Sequence, residues 1–478
     1  MSNRGMNRAV TAGLILLLII AFVLAFAAAR KTPAGQTAAD QPAGSVEQAT
    51  ADQSIANQTA NQPAAYQTTP DGYTLDKVVV LSRHNIRSPL SGSGSVLGDI
   101  TPHVWFQWTS KPSELSVRGG TLETVMGQYF RQWLEREGLF PENYQPEDGA
   151  VRIYANAMQR TIATAKYFSA GLLPVWDAPV ETHAAYNTMD PVFTPSLTFL
   201  TPAYEQAVFD QIAERSGGTG PEGIYARLHD AITLLMDVAD IEESESYRSG
   251  AVGNLLQDES EIVLEMGKEP RMTGPIRTAT SVADALTLQY YEEPDARKAA
   301  FGHDLTDDDW RLMHSIVDEY TEMLFGAPLV SVNVAHPLLQ ELRAELLQEG
   351  RKFSFLCGHD SNLASVLSAL GAEEYSLPGT VEPKTPIGSK LVFARYLDQD
   401  GEAYYTVSLV YQSTRQLREL SLLSAENPPM AEYLRFEGAE EDAAHMIPED
   451  ELLALFDGAL AAYDRLAEDY PEELDLAA

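Results

Sequence analysis

The chain has 478 residues, 45% of them hydrophobic, with 69 acidic against 33 basic side chains and a formal net charge of −36. Such a composition supports a packed core in two to four domain-sized units, and its charge excludes a nucleic-acid-binding protein, which needs a basic footprint. An anionic small molecule stays admissible, because a local basic pocket can sit inside an acidic surface. The single cysteine, Cys357, rules out an intrachain disulfide, so stability has to come from core packing.

In chain order, Arg4 and Arg8 precede an uncharged apolar run at 9–29, and Arg30 and Lys31 follow it. The run has the length of a membrane-spanning helix, about 20 residues. It exceeds the about 7–15 residues of most signal-peptide cores, although Ala25-Phe26-Ala27 offers a small-residue cleavage site. Residues 1–31 therefore read as a retained signal anchor or a cleaved signal peptide. Either one exports the remainder, because the basic end stays cytoplasmic. Residues 32–70, rich in Ala, Gln, Thr and Asn, lack core-forming side chains and are expected to act as a disordered tether.

The folded part is expected from residue 71. Val78-Val79-Val80-Leu81 reads as a buried strand. It runs into Arg83, His84 and Arg87, so two guanidiniums flank an imidazole where a strand gives way to a turn. Sites in α/β sheets collect at such strand ends. Arginine forks match phosphate oxygens, and histidine serves as base, acid or nucleophile. A capping histidine with two solvated arginines is the blander reading. A Ser-Gly loop follows at 91–95, then Trp105 and Trp108, which read either as an aromatic wall or as ordinary loop packing. Leu122, Val125, Met126, Tyr129, Phe130 and Trp133 recur at helical spacing and form a packing face. Val151–Ala155 reads as a second strand, followed by a helix ending near Gly171. Arg160 at that junction is a candidate third cation for the same anion.

Residues 187–325 are predominantly helical in pattern, with helices expected at 224–238, 274–291 and 307–325. They read as a cap inserted into an α/β domain made of 71–186 and 326–478. Asp284, Glu292 and Glu293 are weak candidates in it for substrate contacts. Lys352 to Cys357 reads as a buried strand ending in Gly358-His359-Asp360, before a helix carrying Leu363, Val366, Leu367 and Leu370. Gly302-His303-Asp304 repeats the tripeptide in a polar stretch with no strand before it, so context singles out His359 and Asp360. Strands at 390–396 and 404–411 are expected to form a hairpin. The expected fold is α/β, a mostly parallel central sheet flanked by helices, with a helical cap.

Arg83-His84-Asn85-Ile86-Arg87-Ser88-Pro89 resembles the Arg-His-Gly-x-Arg-x-Pro signature of the histidine acid phosphatases. Gly358-His359-Asp360 resembles that family's His-Asp partner, and Gln159-Arg160-Thr161 its second phosphate-arginine region. Asn85 stands where the signature has glycine, and Ser361 where threonine is frequent. Together with Thr385-Pro386-Ile387-Gly388 and Tyr411-Gln412-Ser413, these departures resemble the bacterial glucose-1-phosphatase branch, some of whose members act on phytate. The resemblance implies a phosphoglycerate-mutase-like fold and hydrolysis of small phosphomonoesters through a phosphohistidine. His84 would be the nucleophile and Asp360 the proton donor, with Arg83, Arg87, Arg160 and His359 around the phosphate. It implies no cofactor, and no cluster in the sequence has metal-ligand spacing. A phosphate-ester binding protein is the non-enzymatic alternative. The sequence carries no signal of oligomeric state.

Overall fold

The computed structural model describes residues 69–90, 96–217, 220–257 and 260–472, all within a compact unit spanning Pro63–Ala478. The apolar run at 9–29 and most of the expected tether lie outside the described residues. Among the described residues no helix is long and apolar enough to cross a membrane.

The principal elements are β1 (Thr74–Arg83), α1 (Val117–Arg136), β2 (Val151–Ala155), α2 (Gln159–Leu172) and β3 (Val180–Glu181). Four long helices follow, α3 (Pro202–Arg215), α4 (Pro221–Val238), α5 (Pro275–Glu292) and α6 (Asp307–Phe325). Then come α7 (Pro328–Leu347), β4 (Phe353–Gly358), α8 (Asp360–Ala369), β5 (Lys390–Leu397), β6 (Ala403–Tyr411), β7 (Met430–Tyr433), β8 (Ile447–Pro448) and α9 (Glu449–Asp469).

The sheet runs β8-β6-β5-β1-β4-β2-β3, with β7 also paired to β6. On the β1, β4, β2, β3 side every pairing is parallel. From β5 outward it is antiparallel, because β5 and β6 form the expected hairpin. The strand that contains Val78–Leu81 lies between β4 and β5 and is covered there on both faces. Val78 and Val80 pack toward α1 and α2 with Phe130, Trp133 and Phe168. Val79 and Leu81 pack toward α7, α8 and α9 with Leu339, Leu363 and Phe456. A strand buried on both sides has no polar face, which is why its sequence is continuously apolar rather than alternating. The long helices between 202 and 325 enclose a separate core that includes Tyr204, Leu228, Leu286 and Trp310.

Helices α1 and α2 cross at bare backbone. A Cβ on Gly127 would lie 2.1 Å from the Phe168 carbonyl oxygen, and one on Gly171 would lie 2.1 Å from the Thr124 carbonyl oxygen. Gly171→Ala is therefore expected to force the helices apart and destabilise the fold by about 2–3 kcal/mol, the scale of overpacking a close-packed interior. An unchanged midpoint of thermal unfolding would show that the crossing tolerates a methyl group.

Candidate active site

The first residue beyond each of three parallel strands comes to one place, the His84 and His359 rings 5.5 Å apart and Asn156 within 2.7 Å of His359. His84 follows β1, Asn156 follows β2 and His359 follows β4. The register aligns Arg83 with Gly358 and Ala155 with Cys357. The His84 N–H donates to the Gly358 carbonyl (3.1 Å) and the Asn156 N–H to that of Cys357 (2.9 Å). Helices α2 and α8 begin at the same edge, so their positive N-terminal ends add to the field of the cleft.

The nucleophile candidate is held in one tautomer. His84 Nδ1 lies 2.9 Å from the Asn85 carbonyl oxygen, to which an Nδ1–H donates. Nε2 therefore keeps its lone pair. The ring is 3% exposed. Burial, then the charges of Arg160 and Arg87, push its pKa well below that of a free imidazole. Both influences disfavour the imidazolium and favour the neutral ring.

The expected arginines converge here, each in a different electrostatic setting. Arg83 donates to Glu382 Oε2 (2.6 Å) and to the Thr385 carbonyl (2.5 Å), and its second terminal nitrogen lies 3.1 Å from Asp360 Oδ2. Desolvation works against its charge, but the carboxylates of Asp360 and Glu382 outweigh it and raise the pKa. Arg87 forks onto both oxygens of Asp284 at 3.2 Å. Arg160 has no carboxylate within salt-bridge distance among the described residues, and its Nε is buried without a partner. Burial and the neighbouring Arg87 lower its pKa to about 10. It is the guanidinium most in need of an anion.

Arg160 also faces His359, its terminal nitrogen 3.4 Å from Nδ1. The other ring nitrogen, Nε2, is 2.7 Å from Asn156 Nδ2. The Asn156 side-chain oxygen accepts the Asp190 N–H at 2.9 Å, which makes Nδ2 the donor toward the ring. His359 Nε2 is thus an acceptor and Nδ1 carries the proton. Nδ1–H and the Arg160 guanidinium are two donors side by side, available to one anionic acceptor. The His359 pKa is lowered by burial and by Arg160, against the opposing pull of Asp360.

Asp360 opens α8 and accepts the Ser361 N–H at 2.9 Å. Desolvation raises its pKa, but Arg83 and then His359 outweigh that and hold the carboxyl at about 2. A group depressed in this way is ionised across the acidic range. It has to gain a proton as an anionic substrate neutralises the arginines around it.

Sequence reasoning missed several contributors. Glu382 sits in an irregular loop and also accepts from Tyr291 on α5 (2.7 Å), with His314 on α6 3.7 Å away. Tyr291 lies two turns along α5 from Asp284, so one helix face reaches both Arg87 and the partner of Arg83. Glu269, beside a short hairpin of Ile262–Val263 and Arg271–Met272, has its carboxyl pushed up to about 7 by desolvation and by Asp360, although its side chain still meets solvent. Asn156 carried a usable signal, its place directly after a parallel strand. Elsewhere, Glu292 pairs with Arg118 (3.6 Å). Trp105 and Trp108 pack against Phe301 and Phe106 respectively.

A buried imidazole ringed by guanidiniums at the carboxyl edge of parallel strands is the arrangement of an α/β protein that binds a phosphate ester. The chain belongs to the histidine phosphatase superfamily (branch 2), whose model matches residues 74–218, and it is a phosphoric monoester hydrolase of that family. It is 36% identical over 390 residues to a glucose-1-phosphatase of Salmonella typhimurium, covering 80% of this chain and 92% of the relative. It is 29% identical over 401 residues to a phytase of Escherichia coli, covering 80% and 90%. Among solved structures, the apo form of Hafnia alvei phytase superposes with a TM-score of 0.74 at 26% identity, over 83% of this chain and 99% of that one.

Proposed function

We propose that the chain is an exported acid phosphatase that hydrolyses sugar phosphomonoesters, glucose 1-phosphate foremost, through a phosphohistidine on His84. The observation that carries the reading is the His84 tautomer, which leaves Nε2 unprotonated while its ring is ringed by Arg83, Arg87, Arg160 and His359. In this reading Nε2 attacks phosphorus while the arginines and His359 Nδ1–H stabilise the charge on the non-bridging oxygens. Asp360 protonates the leaving oxygen, then takes the proton of the water that cleaves the phosphoenzyme. Asp284 acts by holding Arg87 and by bordering the substrate. The N-terminal segment supports export, with anchoring if it is retained.

The preference for a monophosphate rests on two supports. Identity is higher to the glucose-1-phosphatase than to the phytase. The Asp284 carboxylate occupies Arg87 at the site, where a hexakisphosphate would want a basic rim. Phytase activity is the second reading, favoured by the fold match to Hafnia alvei phytase. Phosphate release by the full chain from glucose 1-phosphate and from phytate, side by side with EDTA present, separates the two. A higher kcat/KM on glucose 1-phosphate is expected. The reverse order would make phytase the better name, and no release from either or from an aryl phosphate would sink the hydrolase reading.

The pH profile follows from the shifts. Asp360 is ionised above about pH 2 in the free enzyme, so the proton it donates has to arrive with the substrate monoanion. Phosphomonoesters lose that proton near pH 6. With the His84 pKa lowered by burial and by the neighbouring arginines, kcat/KM is expected to fall as the pH rises above about 6. A profile that instead rose from pH 5 to 7 would show a histidine that must lose a proton and would contradict this assignment.

A further inference from the structure

Beneath the floor of the cleft, polar contacts leave the His84 ring and return to the His84 backbone. The ring donates from Nδ1 to the Asn85 carbonyl at 2.9 Å. Asn85 Nδ2 donates to Glu123 Oε2 at 2.8 Å. Glu123 Oε1 pairs with Lys390 Nζ at 2.8 Å, both side chains 0% exposed. Lys390 Nζ donates to the Gly388 carbonyl at 2.7 Å, and the Gly388 N–H donates to the His84 carbonyl at 3.0 Å. The three side chains come from the turn after β1, from α1 and from the first residue of β5.

We propose that Asn85, Glu123 and Lys390 are positioning residues that fix the direction in which the His84 ring presents Nε2. The proposal rests on the reading of His84 as the nucleophile. The carbonyl that orients the ring belongs to the peptide joining Asn85 to Ile86. The N–H of that same peptide donates to Asn85 Oδ1 at 2.8 Å. The Asn85 amide therefore clamps the peptide with one end and is itself clamped by Glu123 with the other. The Asn85 N–H is held too, donating to Thr164 Oγ1 at 3.1 Å. A peptide tied at both of its polar groups cannot rotate its carbonyl away from Nδ1.

Stability alone is a poor account of the Glu123–Lys390 pair. Replacing a fully buried ion pair by packed apolar side chains is often neutral or stabilising, so such a pair is weak evidence of a role in stability. Desolvation raises the Glu123 pKa against the opposing pull of Lys390 and of Asn85, so the carboxylate depends on both partners to remain an acceptor. Glycine, the residue of the family signature at this position, has no side chain with which to make the clamp.

Two variants test this, Asn85→Ala and Asn85→Gly. The second introduces the residue that the signature carries and keeps the test open if alanine impairs folding. Reorienting a nucleophile while the arginines stay in place should lower kcat about tenfold to a hundredfold on p-nitrophenyl phosphate, with KM changed less than about threefold. Phosphoenzyme trapped by alkaline quench and read by 31P NMR should carry phosphate on Nε2 alone in the parent and partly on Nδ1 in the variants. If both variants keep kcat within about twofold and phosphorylate only Nε2, the proposal is overturned, whatever their thermal stability. A rise in KM at unchanged kcat would overturn it as well, because the phosphate ligands rather than the nucleophile would have moved. Absence of any phosphohistidine in the parent would instead refute the assignment of His84.

Discussion

Replacing His84 by alanine is expected to abolish phosphate release, lowering kcat/KM roughly ten-thousand-fold or more, the scale on which loss of a covalent nucleophile acts. The imidazole has no substitute among its neighbours. His359 is a T-shaped neighbour with ring centroids 5.5 Å apart, but its Nε2 is committed to Asn156 and its Nδ1 carries a proton, so it presents no free lone pair to phosphorus. The anion-binding groups survive the substitution, because Arg83 is fixed by Glu382 and Thr385 and Arg87 by Asp284. The variant should therefore still bind inorganic phosphate within a few-fold of the parent affinity, measurable by calorimetry. Turnover above about one per cent of the parent would remove His84 from the role of nucleophile.

The second large effect belongs to Asp360. Asp360→Asn preserves shape and abolishes proton transfer, so its cost should follow the basicity of the leaving group. On a sugar or alkyl phosphate, whose alkoxide leaves only when protonated, kcat/KM should fall about a hundredfold to ten-thousandfold. On p-nitrophenyl phosphate, whose phenolate leaves unaided, it should stay within about fivefold, and a burst of nitrophenol should precede a slow steady state as phosphoenzyme accumulates. Arg83 loses a carboxylate at 3.1 Å in this variant but keeps Glu382, so binding should change little. Equal losses on the two substrates would mean that Asp360 serves the site by holding Arg83 rather than by moving a proton.

The parts legible in the sequence share a local signature. A strand buried on both faces is a short, mostly apolar run, and the candidate site residues follow within three residues of its end. That is how Val78–Leu81 pointed to His84, and the stretch ending at Cys357 to His359 and Asp360. The decoy at His303 lacked the run, and in the structure it lies beyond the turn at Phe301 and Gly302, where the chain takes positive φ. The β5–β6 hairpin was legible for a similar reason, two β-rich runs flanking a polar turn.

What stayed hidden is set by contacts between distant segments. Glu382 lies 299 residues from Arg83, in a loop with no periodicity. Glu123 lies beside the apolar stripe of α1 and looks like a solvated acid, yet it is fully buried because Asn85 and Lys390 meet it there. Helix α7 buries Val330, Asn333, Ala335, Leu338 and Leu342 around its circumference and carries Pro337 inside. A helix covered on several sides has no polar face to mark the period. Asp284 was named from the sequence, but its orientation toward Arg87 depends on how α5 packs over the cleft.

The position of β4 bears on how the chain acquires its fold. This strand lies between β1 and β2, yet more than half of the chain separates Val78 from its partner Phe353. Until β4 is synthesised, β1 and β2 have no common neighbour, and their edges stay open to pairing with other chains. Closing so long a loop before any pairing energy is gained makes this topology slow to fold. His359 and Asp360 also arrive with that strand. Activity and resistance to proteolysis should therefore appear together and late, in one cooperative step rather than segment by segment. If the chain is exported as proposed, it has to be kept extended until β4 has crossed with the rest.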